Sequence, residues 1–88
     1  MGHARPRPQR LAAKLFLIRR KLGLSQHQLA KRLNARIPYE VEIPYNHISK
    51  YEHDKNEPPL VVLLAYSRVS RIPLPNIIDD DLDLSSED

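Results

Sequence analysis

Gly23-Leu24-Ser25-Gln26-His27-Gln28-Leu29-Ala30-Lys31-Arg32-Leu33 decides how this 88-residue chain is read. The Ser25 hydroxyl can cap the free N–H groups of a helix beginning at Gln26, and Gln28, three residues on, can reach back to complete a capping box. Leu24 before the cap and Leu29 after it have the spacing of a hydrophobic staple. Gly23 can take the left-handed conformation that ends a preceding helix. The stretch therefore predicts a tight corner between two helices. The second helix covers Gln26–Leu33, buries Leu29, Ala30 and Leu33, and stops near Asn34, a residue that tolerates the left-handed conformation.

Upstream of the corner, Leu11, Leu15, Ile18 and Leu22 recur at steps of four, three and four, one face of a first helix. Lys14 and Lys21 are placed off that stripe, while Phe16 and Leu17 widen it and imply burial on more than one side. Before the helix, Arg5-Pro6-Arg7-Pro8 rules out a helix interior, so residues 1–9 are expected to form a flexible basic arm. Downstream, Ile37, Tyr39, Val41, Ile43 and Tyr45 alternate with Pro38, Glu40, Glu42 and Pro44. Period two with β-branched residues predicts extended chain over Ala35–Tyr45, and the prolines restrict it to an edge strand or loop.

A third helix, 45–53, follows, with Pro44 suited to its first turn. Ile48 and Tyr51 face inward, and Asn46, His47, Ser49 and Lys50 are left outward. Pro58-Pro59 opens a fourth helix, Leu60–Ser70, whose first two turns are apolar all round. Such a helix is buried centrally or in a dimer interface. After Pro73, Leu74–Ile78 forms a last short turn with Ile77 and Ile78 on the core. Asp79–Asp81 oppose the helix dipole and stop it there. Residues 10–78 thus form one domain, and 79–88 an acidic tail expected to be loosely held.

Eighty-eight residues allow a single domain with a modest core. The absence of cysteine excludes disulfides, thiolate zinc sites and a cysteine nucleophile. The longest apolar run, Leu60–Tyr66, is far short of the ~20 residues that cross a membrane, and no apolar signal core follows the basic start. A soluble cytoplasmic protein is expected. His3, His27, His47 and His53 lack a metal-ligand spacing, since His47 and His53 are six apart rather than four. With only two glycines and no nucleophile elbow or phosphate loop, neither catalysis nor a cofactor is expected.

The net charge of +3 conceals a polarity. Met1–Tyr39 holds ten Lys or Arg and no acid, whereas Asp79–Asp88 holds six acids and no base. A one-signed half is the footprint of a polyanion partner. Two helices meeting at a tight corner in such a chain suggest a helix-turn-helix.

Several pieces in order resemble the Cro and phage-repressor (XRE-like) type of helix-turn-helix transcription regulator. They are Ile18-Arg19-Arg20-Lys21-Leu22-Gly23-Leu24-Ser25-Gln26, Leu29–Leu33, Ile48-Ser49-Lys50-Tyr51-Glu52, Asp54-Lys55-Asn56-Glu57-Pro58 and Leu63-Leu64-Ala65. The resemblance implies an all-α, lambda-repressor-like bundle of five helices with an extended insertion before the third. It implies a regulator, expected to be a repressor, that binds double-stranded DNA as a homodimer with helix 45–53 in the major groove. Tyr45, Asn46, His47, Ser49 and Lys50 would read bases: Asn pairs with adenine, Lys with guanine, and an aromatic ring meets a thymine methyl. Gln26 and Lys55 would hold the backbone, Gln26 also bracing the base-reading residues; His27, and Arg36 at the start of the insertion, are further expected backbone contacts. Arg19 and Glu52 would form a framework salt bridge. Two features depart from the family: the connection before the third helix is longer, and Asp54 stands where glycine is common. An alternative is a protein-interaction module, such as an antitoxin that binds a toxin through the acidic tail and autoregulates its operon.

Overall fold

The computed structural model describes residues 7–37 and 42–84, and these form an all-helical unit. The helices are α1 (Leu11–Leu22), α2 (Gln26–Asn34), α3 (Tyr45–Glu52), α4 (Leu60–Ser70) and α5 (Leu74–Ile78). α2 packs chiefly on α3 and α4, and α1 lies against α3, α4 and α5. Leu15, Leu29, Leu33, Ile48, Tyr66 and Ile77 are wholly buried where these helices meet.

The α1–α2 corner has the expected local chemistry. Gly23 sits at φ 70°, and the N–H groups of Gly23 and Leu24 donate to the carbonyls of Arg20 (3.1 Å) and Arg19 (3.2 Å). That pair of bonds closes the last turn of α1 as a Schellman motif. The Ser25 hydroxyl accepts from the Gln28 N–H at 3.1 Å, and the Gln28 side-chain oxygen Oε1 accepts from the Ser25 N–H at 2.9 Å. Leu24 packs on the core that holds Leu29. Asp54 adopts φ 59°, so the aspartate takes the left-handed conformation that glycine would otherwise supply.

Four expectations are corrected. Lys14 is 2 % exposed and lies on the buried stripe, three residues after Leu11 and four before Ile18. Its ammonium donates to the carbonyls of Asn76 (2.8 Å), Asp79 (2.8 Å) and Leu82 (2.7 Å), so all three of its N–H groups are used. Burial, with Arg10 beside it, lowers the Lys14 pKa, and Asp80, Asp79 and Asp83 work against that shift. Phe16 and Leu17 are not buried: Leu17 is 53 % exposed, and the Phe16 ring lies under the guanidinium groups of Arg19 and Arg20 at 5.5 and 5.6 Å. Ile78 is also exposed, whereas Ile77 is buried.

Asn34 ends α2 without turning left-handed, because Ala35 caps the helix in the right-handed region. The Asn34 side chain instead binds the backbone of Ile43 twice, accepting from its N–H at 2.7 Å and donating to its carbonyl at 3.1 Å. Ile37 and Ile43, at the two ends of the long connection, are both buried. The expected alternation at Pro38, Tyr39, Glu40 and Val41 lies outside the described residues.

The acidic segment was expected to be loosely held, but its described part is fastened. The Asp80 carboxylate accepts from the N–H groups of Gln9 and Arg10, both at 2.9 Å. It caps the start of α1, where Arg10 provides no side-chain cap of its own. The Arg10 guanidinium donates to the carbonyls of Asp80 (2.7 Å) and Leu82 (3.2 Å) and pairs with Asp83 at 2.7 Å. The bonds from Arg10 and Gln9 hold the Asp80 carboxyl below the usual range, and the bond from Arg10 does the same for Asp83.

Lys14→Met keeps the apolar stem and removes the three donors. It is expected to destabilise the protein by about 1–3 kcal/mol, read as a lower midpoint in urea or thermal unfolding. A midpoint equal to that of the wild type would show that the carbonyls find other partners without loss.

Candidate nucleic-acid interface

α3 is held from one side and open on the other. Ile48 and Tyr51 are buried beneath it. Asn46 and Lys50 are exposed, Tyr45 is 48 % exposed, and His47 and Ser49 are half-buried. The five residues expected to read bases therefore share one helix, with the two long polar side chains in solvent. Ser49 is also engaged locally, since its carbonyl accepts from His53 Nδ1 at 2.8 Å.

The end of α3 is fixed by a fork. Arg19 Nε lies 2.7 Å from Glu52 Oε2, and Arg19 Nη2 lies 3.0 Å from Oε1. The Glu52 side chain is 3 % exposed and that of Arg19 16 %. Arg19 Nη1 also donates to the Leu24 carbonyl at 3.1 Å, and Gln26 Nε2 donates to Glu52 Oε1 at 3.3 Å. One carboxylate thus joins α1, the corner, α2 and α3. The bond to Glu52 raises the pKa of Arg19 further above its already high value. Tyr66 is buried among the same groups, and burial, with the neighbouring Glu52 and Tyr51, pushes its hydroxyl up, so it stays neutral.

The start of α3 is fixed differently. The rings of His27 and Tyr45 stack with centroids 3.6 Å apart and planes at 20°. Gln26 and His27, both expected at the DNA backbone, are thus each tied to α3. Arg36 and Lys55 are exposed. The Lys55 N–H closes the turn after α3 by donating to the Lys50 carbonyl at 2.8 Å.

The basic half is not uniformly available. Lys14, Arg19 and Arg10 are engaged in the fold, and Arg7 pairs with Asp54 at 2.9 Å. Lys21, Lys31, Arg32, Arg36, Lys50 and Lys55 are exposed and form no ion pair among the described residues. Most of these lie on α2, α3 and the segments that follow them. Among the described residues there is no cluster of His or acids that could hold a metal, and no helix is long and apolar enough to cross a membrane.

Sequence reasoning missed the His27–Tyr45 stack, the Asn34–Ile43 clasp and the Asp80 cap. Each joins residues from different elements, and no local pattern announces such a contact. The Lys14 contact was partly legible, since the spacing from Leu11 and Ile18 already places it on the buried face.

Compared with known families, residues 15–75 match a family model described as helix-turn-helix. Searches of curated proteins and of solved structures returned no match.

Glu52→Ala would leave the Arg19 guanidinium half-buried without its carboxylate. The expected loss is about 1–3 kcal/mol of stability, measured by urea unfolding, with a smaller loss for Glu52→Gln, which retains an acceptor. Equal losses for the two variants would mean that packing, rather than the fork, holds α3.

Proposed function

This chain belongs to the Cro/C1-type (XRE-like) helix-turn-helix family of DNA-binding regulators, and on that premise we propose that it is a sequence-specific repressor that places α3 in the major groove of double-stranded DNA. The observation that carries this reading is the two-sided character of α3. Its inner side is locked by Ile48, Tyr51 and the Arg19–Glu52 fork, while Asn46 and Lys50 stand in solvent on the other. A rigid helix with a polar outer face flanked by unpaired bases is suited to base edges between two phosphate backbones. Tyr45, His47 and Ser49 complete the reading set. Lys55 and Arg36, at the flanks, supply backbone contacts, with Gln26 at the first turn of α2.

The working form is a homodimer on an inverted repeat, with two copies of α3 about one helical turn, ~34 Å, apart. Exposed apolar side chains, including Leu17, Leu60 and Ile78, offer surface that a second copy would cover. Such a dimer on a promoter represses by occlusion, and a cytoplasmic location follows from that role. Asp80 and Asp83 are engaged by Arg10 and the start of α1, so these two acids are not free for a basic partner.

Selection of bound sequences from a randomised duplex pool tests the proposal, and enrichment of an inverted repeat is the expected outcome. Affinity for the selected duplex should fall by about 10²–10⁴ from low to physiological salt as bound counterions are released. No enrichment, or a salt-independent affinity, would refute DNA reading. Lys50→Ala and Asn46→Ala should keep the wild-type melting temperature, lose about 1–3 kcal/mol of binding each, and relax preference at one base position. Losses that are equal on selected and unselected duplexes would make these residues backbone contacts only.

A further inference from the structure

The two ends of α3 are held by consecutive residues of α2. Gln26, the first residue of α2, bonds to Glu52, the last residue of α3. His27, the second, stacks on Tyr45, the first residue of α3. The backbone is held two residues earlier, where Asn34 binds Ile43, but no hydrogen bond holds the Tyr45 side chain among the described residues. Pro44 precedes it without a side-chain cap, and the Tyr45 ring is not part of the buried core. Tyr45 stays half-exposed even with the imidazole against one of its faces.

We propose that His27 is a positioning residue for base reading: its imidazole presets the Tyr45 ring on α3 before DNA arrives, and Tyr45, not a phosphate, is the group through which His27 acts. The inference rests on the reading of α3 as the base-reading helix. Nearly parallel aromatic rings at this distance attract each other beyond the area they bury. A side chain at an exposed helix start would lose rotamer freedom on meeting a base pair, and a ring already stacked has lost that freedom beforehand. The gain goes to whatever contact Tyr45 makes, such as apolar contact with a thymine methyl. Gln26 does not take this role here, because its amide is turned to Glu52.

A backbone contact and a positioning residue give opposite signatures. Removing a phosphate contact weakens every duplex alike, whereas losing the stack changes preference at the base that Tyr45 meets. His27→Phe retains a stacking ring without a nitrogen for phosphate, and His27→Lys retains a phosphate donor without a ring. The full chain would be measured on the duplex selected by the wild type, its single-base variants and an unselected duplex. His27→Phe should keep wild-type preference within about twofold, while His27→Lys should lose about five- to tenfold of discrimination at one position. Tyr45→Ala should lose discrimination at the same position, and the double variant His27→Lys/Tyr45→Ala should lose no more than Tyr45→Ala alone. In the free protein, the Tyr45 ring resonances should move in His27→Lys, while the resonances of the buried core keep their wild-type positions.

Additive losses in the double variant would overturn the inference. So would a His27→Phe variant weakened equally on all duplexes, or losses by His27→Lys and Tyr45→Ala at different base positions. If the wild type selects no sequence, the regulator reading falls and this inference with it. If the wild type selects a site but shows none of this coupling, the inference falls alone.

Discussion

The Arg19 guanidinium presents two nitrogens to two oxygens of Glu52, at 2.7 and 3.0 Å, where the carboxylate is almost fully withdrawn from water. Burying an ion pair is costly, and an apolar contact of the same size often stabilises a fold as well or better. What apolar packing cannot do is fix orientation. A planar fork on a carboxylate accepts one relative placement of the two backbones, whereas leucine on isoleucine tolerates sliding and rotation. Arg19 also holds the Leu24 carbonyl, so the same guanidinium ties the α1–α2 corner to the end of α3. The angle at that corner is in turn set by the left-handed Gly23. The pose of the outer face of α3 depends on this chain of contacts.

The charge polarity of the sequence divides into two parts once the helices are in place. Arg10 and Lys14 serve the fold: they hold the carbonyls and carboxylates of residues 76–83 against the start of α1. Asp80 returns the contact by capping α1. The acidic segment is thus an internal counter-charge at the end of the molecule where α1 begins. Of the exposed bases with no ion pair among the described residues, Lys31, Arg32, Lys50 and Lys55 belong to α2, α3 and the turn after it, while Arg20 and Lys21 lie on α1 and Arg68 and Arg71 at the end of α4. The one-signed appearance of the first half therefore overstates the polyanion footprint.

Local features of the fold could be read from the chain, and long-range ones could not. The capping box at Ser25 and Gln28, the left-handed Gly23 and the burial of Leu29, Leu33, Ile48 and Tyr51 follow from spacing and side-chain type, and all are present. Phe16 and Leu17 misled because apolar identity does not force burial, and a guanidinium over the Phe16 ring is an adequate cover. Lys14 misled the other way. A charged residue on a buried stripe looks like an error until its partners, three carbonyls more than sixty residues away, are known. That Tyr45, Asn46, His47, Ser49 and Lys50 share one helix was legible. What was not legible is how Tyr45 is held, because the period-two pattern of the connection does not say which residue of α2 its far end meets.

That connection carries little responsibility for the position of α3. Its far end is pinned at Ile43 by the Asn34 amide, which satisfies both backbone groups as a neighbouring strand would. Ile37 and Ile43 bury the two ends against the core. The next two residues lead into the His27 stack, and seven residues beyond Tyr45 the helix reaches the Arg19 fork. The described anchors of α3 therefore lie at its own two ends and at the two ends of the connection. An amide at the end of α2 and a ring at its start take over the restraint that a short turn would otherwise provide.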